Sequence, residues 1–170
     1  GLLKTHGGMG LLWYTPRKFE NAVLRIVYRG AAQNNSGVFI RIPEAPTEPW
    51  MPVHRGFEVQ IDDREDDFHK TGVLYSLTRA KASPSKPDDW NVMEITLDGE
   101  RTIVTVNDVL VTDFREGDEV PPKEQEYEPD RGPRPTAGYI GLQNHSDEDV
   151  ILFKEISYKP LPRAERRQQR

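Results

Sequence analysis

The sequence contains no cysteine, so neither a disulfide framework nor a zinc site built on thiolates is available to it. An excess of basic residues is also missing: the net charge is -5, which argues against nucleic acid as the main partner. No apolar run is long enough to cross a bilayer, and no signal peptide is recognisable at the start. The compartment is therefore left open, and an exported or periplasmic location is compatible with the removal of a leader.

Long stretches with a helical period of 3.6 residues are absent as well, and a two-residue alternation of apolar and polar side chains takes their place. The alternating runs are short and are separated by clusters of Gly, Pro, Asn and Asp. They predict ten strands: Gly10–Tyr14, Ala22–Tyr28, Ser36–Ile42, Phe57–Asp62, Gly72–Leu77, Asn91–Asp98, Thr102–Val106, Val109–Asp113, Gly138–Asn144 and Val150–Tyr158.

The residues between these runs favour tight turns and Pro-rich loops. Asp98-Gly99 and Asn107-Asp108 each join two alternating runs and therefore predict hairpins. Loops are predicted over Pro43–Arg55, Arg79–Asp89 and Arg115–Pro135, of which the last is long and acidic, as functional or mobile loops often are. Short antiparallel strands with such connections predict an all-β sandwich or jelly roll of two antiparallel sheets. We expect one domain over residues 1–162, followed by a charged tail at 163–170.

Alternation along a strand also predicts which side chains face outward from the sandwich. In the run "GFEVQIDD", Val59 and Ile61 point into the core while the residues between them point out. The same count on "GVFIR" and "GYIGLQNH" predicts an outer face that carries Arg41, Glu58, Gln60, Asp62, Gln143 and His145. The direction of Tyr75 is left open, because it lies on the same side of its run as Val73 and Leu77.

Such an outer face has two interpretations. Amides, carboxylates and a guanidinium suit sugar hydroxyls, which need paired donors and acceptors, and Trp13, Tyr14 or Trp50 could cover the flat face of a sugar ring. The alternative is an ordinary solvated face on which Arg41 and Glu58 form a cross-strand ion pair. In that case Trp13 and Tyr14 cap the end of the sandwich instead.

Five segments carry a resemblance to a known family. In order and spacing, "NNSGVFIR", "GFEVQIDD", "TGVLYSL", "DDWNVMEITLDGERTIVTVNDVLVTDF" and "GYIGLQNHSDEDVILFKEISYKPL" resemble the 3-keto-disaccharide hydrolase domain, from about Gly10 to Leu161. The resemblance implies a concanavalin A-like jelly-roll sandwich and activity on glycosides whose glucose ring is oxidised to a ketone at C3. It also implies an active site on the concave sheet, at the positions of Arg41, Glu58, Gln60, Asp62, Gln143 and His145.

The chemistry of a C3 ketone assigns candidate roles to these residues. The ketone acidifies the proton on C2, so a base can form an enolate, the group on C1 can leave, and water can add. Glu58 or His145 is the candidate base, and Arg41 or a bound divalent metal is the candidate stabiliser of the enolate. Oxygen and imidazole donors at Glu58, Asp62 and His145 are the candidate metal ligands. Gln60, Asp62, Tyr75, Gln143 and Trp50 are the predicted substrate-binding residues.

The competing enzymatic scheme uses two carboxylates, as ordinary glycosidases do. Glu58 and Asp62 are four residues apart on one strand, roughly 13 Å between Cα atoms, which is too wide for a retaining pair. We therefore predict a hydrolase or lyase of 3-keto-glucosides with a carbohydrate partner. The alternatives are a non-catalytic carbohydrate-binding module on the same fold and an interaction domain. The aglycone, the oligomeric state, the end point of the reaction and whether Arg115–Pro135 is a lid are left open.

Overall fold

The computed structural model describes residues 1–64 and 66–162, so the predicted tail at 163–170 lies outside the described residues. The elements in chain order are β1 (Leu3–Lys4), β2 (Gly10–Trp13), β3 (Ala22–Arg29), β4 (Ser36–Ile42), α1 (Met51–Arg55), β5 (Phe57–Ile61), β6 (Asn91–Asp98), β7 (Arg101–Val106), β8 (Val109–Arg115), β9 (Tyr139–Asn144) and β10 (Leu152–Pro160). None of the helices in the described residues has the length and apolar character that crossing a membrane would require.

The strands form two antiparallel sheets. One has six strands in the order β1-β10-β3-β6-β7-β8, and the other has four in the order β2-β9-β4-β5. Apolar side chains from both sheets, among them Ile26, Val38, Val59, Met93 and Leu142, pack into one core between them. The predicted all-β, concanavalin A-like sandwich of two antiparallel sheets is confirmed.

Both predicted hairpins are present. Asp98 pairs with Arg101 across the turn from β6 to β7, and Val106 pairs with Val109 across the turn from β7 to β8. Asn107 and Asp108 have φ values of 50° and 64°, the left-handed conformation that a two-residue turn between twisted strands needs at both positions.

Two local predictions are wrong, and one short strand was missed. Gly72–Leu77 is not a strand, because Gly72 and Ser76 take positive φ values that interrupt it, and only Leu74 bridges to Val59. The predicted loop Pro43–Arg55 contains α1, whose first turn accepts Pro52 because amide groups there lack an intrahelical acceptor. The short strand β1 was not predicted, since two residues carry no periodic pattern.

The four-stranded sheet is covered in part on its outer face. Its outer face carries a second apolar cluster, made by Phe39 and Ile42 of β4 with Met51 and Val53 of α1. This packing contributes to the burial of β4 and β5. Every residue of the two strands is buried, although alternation predicts a wet outer face for both. The helix therefore covers one part of the outer face and borders the neighbouring part of that face.

A bulge interrupts the pairing of β4 with β9. Phe39 pairs with Gly141 and Ile42 pairs with Tyr139, so β4 contains one extra residue in this interval. Arg41 absorbs the extra residue with a φ of 53°. Its backbone comes so close to Gly138 that a Cβ there would lie 2.3 Å from the Arg41 Cα, which requires glycine at position 138.

Candidate active site

A cavity opens on the outer face of the four-stranded sheet, beside α1. Its volume is about 180 Å³, which is below the roughly 300–1,000 Å³ of sites for drug-sized ligands and suits a group about as large as one small ring. The lining consists of polar groups and aromatic rings, from Met9, Asn35, Trp50, Val53, Glu58, Gln60, Tyr75, Tyr127, Gln143 and His145. The structure thus brings together six of the predicted site residues: Trp50, Glu58, Gln60, Tyr75, Gln143 and His145.

The strands position the acid at the floor of this cavity. Glu58 and Gln60 lie two apart on β5, and the neighbouring strand β4 places Gly37 directly opposite Gln60. A Cβ at Gly37 would lie 2.6 Å from both Cγ and Oε1 of Glu58, so the Glu58 carboxyl occupies the space that a side chain at position 37 would need. The role of Gly37 was not predicted; its signal in the sequence is a glycine inside a strand, which often marks a close approach of another part of the chain.

Burial gives Glu58 an unusual acidity. The residue is buried. This burial raises the pKa of Glu58 to about 8, and a hydrogen bond with Gln143 offsets only part of the effect. Glu58 is therefore largely protonated at neutral pH and becomes a comparatively strong base once ionised.

Two buried amide oxygens lie beside this acid. The Gln60 side-chain N–H donates to Asn35 Oδ1 at 3.2 Å, but within the described part of the chain Gln60 Oε1 and Gln143 Oε1 have no hydrogen-bond partner. Buried polar atoms are nearly always paired in proteins, because leaving one unpaired costs about 1–3 kcal/mol. Both oxygens are acceptors, so they fit donors that a ligand brings, such as sugar hydroxyls.

His145 lines the same cavity and is held by an acid that our sequence analysis missed. Its Nδ1 lies 2.8 Å from Asp149 Oδ2, which also accepts from the Ser146 hydroxyl at 2.6 Å, while the Asn35 amide donates to Oδ1 at 2.7 Å. Burial raises the pKa of the Asp149 carboxyl, but the hydrogen bonds from Ser146, Asn35 and His145 outweigh it, and the pKa lies below its ordinary value. The ionised Asp149 therefore fixes Nδ1 as the donor and leaves Nε2 for a ligand.

The prediction that Arg41 faces this site is wrong. The bulge reverses its direction, and the side chain is fully buried away from the cavity. Its guanidinium donates to one hydroxyl and four carbonyls: Thr102 Oγ1, Gly99 O, Arg101 O, Pro135 O and Thr136 O. With its donors committed to these groups, Arg41 ties β4 to the hairpin between β6 and β7 and is not an enolate stabiliser.

The predicted position of Asp62 is also wrong. Asp62 follows the last residue of β5, and its buried carboxylate accepts from Arg64 at Nε and Nη2, at 3.1 and 2.7 Å, instead of lining the cavity. Over residues 1–64 and 66–162, no three His, Asp or Glu side chains come together as a metal-binding group. Glu58, Asp62 and His145 therefore do not form the predicted metal site.

Trp13 and Tyr14 do not line this cavity. Trp13 packs against Tyr139 with ring centroids 5.0 Å apart, and Tyr14 packs against Phe19 at 5.6 Å. Both line an apolar cleft of about 340 Å³ between the two sheets, away from Glu58. This placement matches the alternative in which the two residues cap an end of the sandwich.

Several solved structures share this fold. Two candidate glycosyl hydrolases from Parabacteroides distasonis are 25% and 21% identical, with TM-scores of 0.77 and 0.78; the alignments cover 95% of this chain and 87% and 81% of theirs. The carbohydrate-binding module CBM66 from Bacillus subtilis, at 11% identity and a TM-score of 0.60 over 94% of this chain and 95% of that one, shares the fold alone. No curated protein matches the chain significantly.

One family matches almost the whole sequence. The 3-keto-alpha-glucoside-1,2-lyase-like domain matches residues 1–159, which include every strand of the four-stranded sheet and every residue that lines the cavity. The chain therefore belongs to the 3-keto-alpha-glucoside-1,2-lyase-like domain family.

Proposed function

We propose that this protein cleaves 3-keto-glucosides by removing the proton at C2 and eliminating the group on C1. Family membership supports a carbohydrate ligand. The observation that carries the proposal is the buried acid Glu58, with a pKa of about 8, at the floor of a cavity the size of one ring. A carboxylate with a raised pKa is well suited to remove a carbon-bound proton that a neighbouring ketone has acidified.

The proposed reaction is an elimination followed by the addition of water. Glu58 takes the C2 proton, and the electron pair of the C2–H bond forms a C2–C3 double bond while the C3 carbonyl becomes an enolate. The enolate then re-forms the ketone and expels the C1 substituent, which leaves a C1–C2 double bond and takes up one proton. The Glu58 carboxylic acid formed in the first step is the proposed donor of that proton. His145 Nε2, which carries no proton while Nδ1–H is committed to Asp149, is the proposed base for the water that adds next. Addition of water at C1 and of a proton at C2 completes a net hydrolysis.

A two-carboxylate mechanism has less support. Glu58 is the only Asp or Glu among the described residues that line the cavity, and Asp62 is engaged with Arg64. Both glycosidase classes need a second carboxyl group across the scissile bond. No Lys or Arg of the described chain lines the cavity either, so neutral donors such as Asn35 and Tyr75 are proposed to stabilise the enolate.

Solvent deuterium tests the proposed proton abstraction. In D₂O, turnover of methyl 3-keto-glucoside is expected to place deuterium at C2 of the released sugar, because the final protonation takes its proton from the solvent. Proton NMR follows the loss of the C2 signal, and substrate without protein gives the background exchange. Cleavage without deuterium at C2 would contradict enolate chemistry and favour direct displacement at C1.

Asp149 is a positioning residue that a single substitution tests. Asp149→Asn is expected to lower kcat by about a hundredfold with little change in KM, because a displaced or wrongly tautomeric imidazole cannot take a proton from the added water. Nitrogen NMR of His145 should show loss of the fixed Nδ1–H tautomer. Asp147→Asn, two residues away on an exposed side chain, is the matched control and should change neither reading.

A non-catalytic carbohydrate-binding module is the second candidate. The observation in its favour is the pair of exposed aromatic side chains at the cavity, Trp50 and Tyr127, since binding modules use such rings as platforms. This alternative predicts binding of the sugar without turnover, and equal binding of oxidised and unoxidised glucosides. Turnover of the 3-keto-glucoside, without turnover of the unoxidised glucoside, would exclude a non-catalytic binding module.

A further inference from the structure

The cavity is too small for a whole disaccharide. Its volume of about 180 Å³ is below the roughly 300–1,000 Å³ of sites for drug-sized ligands. Under the proposed function, on which this inference rests, the oxidised ring must reach Glu58 at the floor of the cavity. The group on C1 therefore lies at the mouth, in contact with whatever borders it.

Two large aromatic side chains border the cavity and remain in contact with solvent. Trp50 is 45% exposed and Tyr127 is 54% exposed, whereas the polar side chains of Glu58 and Gln60 are buried. Trp50 precedes α1, and Tyr127 belongs to the long segment after β8. Exposed aromatic rings beside buried polar groups are typical of a site that binds a ring with one apolar face.

A continuous set of contacts links Trp50 to the segment that carries Tyr127. The Trp50 ring stacks on His54, with centroids 6.3 Å apart and planes 29° apart. His54 Nδ1 lies 3.2 Å from the carbonyl oxygen of Glu128, the residue next to Tyr127. The Asp130 amide also donates to the His54 carbonyl at 3.1 Å, so α1 and the long segment are joined at two points.

The segment that carries Tyr127 is anchored from within. The Glu128 carboxylate is buried and accepts from the Glu124 amide at 3.1 Å and from Arg131 at 2.9 Å. Arg131 also donates to the Ser76 carbonyl at 3.3 Å, which ties the segment to the chain beside Tyr75. These bonds anchor the segment that carries Tyr127 next to the cavity.

We propose that Trp50 and Tyr127 form a leaving-group subsite that binds a flat ring with an apolar face attached to C1. The ring can be a second sugar or an aryl group, because both present such a face to an aromatic side chain. Compact alkyl leaving groups gain nothing from the subsite, since they do not extend to the mouth of the cavity. The subsite thereby makes ring-bearing 3-keto-glucosides the preferred substrates.

Three ligands test this subsite: a 3-keto disaccharide, phenyl 3-keto-glucoside and methyl 3-keto-glucoside. Dissociation constants are measured by calorimetry in the Glu58→Gln background, so that no ligand is consumed, and turnover of the same three compounds by the wild type is measured in parallel. Trp50→Ala and Tyr127→Ala are each expected to weaken binding of the ring-bearing ligands by about tenfold, as loss of an aromatic anchor does, and to leave the methyl glycoside unchanged. Tyr127→Phe should retain the wild-type affinity.

Tyr14→Ala is the matched control, because Tyr14 is 46% exposed and lies at the separate apolar cleft. Weakened binding of the disaccharide alone assigns the subsite to a second sugar, and weakened binding of both ring-bearing ligands assigns it to flat rings in general. Equal losses for all three ligands, or no loss for any, would overturn the subsite. Selective losses together with no wild-type turnover would retain the subsite and reject the proposed reaction.

Discussion

Glu58→Gln is expected to lower turnover of a 3-keto-glucoside by about 10²–10⁴-fold, because glutamine cannot take the C2 proton. The substitution preserves the shape of the side chain and its place over Gly37, so the fold and the affinity for the sugar should remain. Steady-state kinetics measure the first effect, and circular dichroism with a binding assay measures the second. A variant that keeps the wild-type rate would remove Glu58 from the mechanism.

Glu94→Gln is the matched control for this loss. Glu94 lies on β6 of the six-stranded sheet, is 40% exposed and pairs with Arg25, so its substitution should leave turnover unchanged.

In the wild type, kcat/KM should rise tenfold for each pH unit below about pH 8 and level off above it, because only ionised Glu58 is a base. A rate that falls through the same range would make Glu58 the acid and pass the role of base to His145.

The same carboxyl group is expected to make the stability of the protein depend strongly on pH. Burial raises the pKa of Glu58 from 4.5 to about 8, so between these values the folded state holds a proton that the unfolded state releases. The resulting stabilisation is fully present below pH 4.5 and is lost as the pH rises to about 8. At 1.36 kcal/mol for each tenfold step in acidity, the loss reaches up to about 5 kcal/mol of the free energy of unfolding.

Comparison of the wild type with Glu58→Gln isolates this loss from all other titrations. The variant has no group to ionise at position 58. Its free energy of unfolding, relative to that of the wild type, should therefore be higher at about pH 9 than at about pH 5. Urea denaturation at both values gives the two differences, with Glu94→Gln again as the control. An equal difference at both pH values would mean that Glu58 is not held protonated in the folded state.

Much of the fold and part of the site could be predicted because alternation is a local property. The period of two predicts β5 and places Glu58 and Gln60 on one face, and the same count on β9 predicts Gln143 and His145. Neighbouring strands then bring these side chains into one cavity. Their chemical roles stay predictions.

The remaining parts of the site depend on contacts between distant residues. Gly37 is part of the site because the Glu58 side chain, on the adjacent strand, occupies the space beside its Cα. Asp149 is part of the site because the loop after β9 brings its carboxylate to His145. Tyr127 reaches the cavity through the bonds of Arg131 and His54, none of which has a periodic signature. Such contacts are products of tertiary packing and leave no local pattern in the sequence.

The bulge in β4 has a consequence for the acidity of the site. With regular alternation, Arg41 would emerge on the face of Glu58 as its diagonal cross-strand neighbour, at a distance that long side chains span. A guanidinium there would neutralise the carboxylate, hold it ionised at neutral pH and turn both groups into an inert ion pair. One inserted residue instead turns the guanidinium away from the cavity, and the pKa of Glu58 stays at about 8.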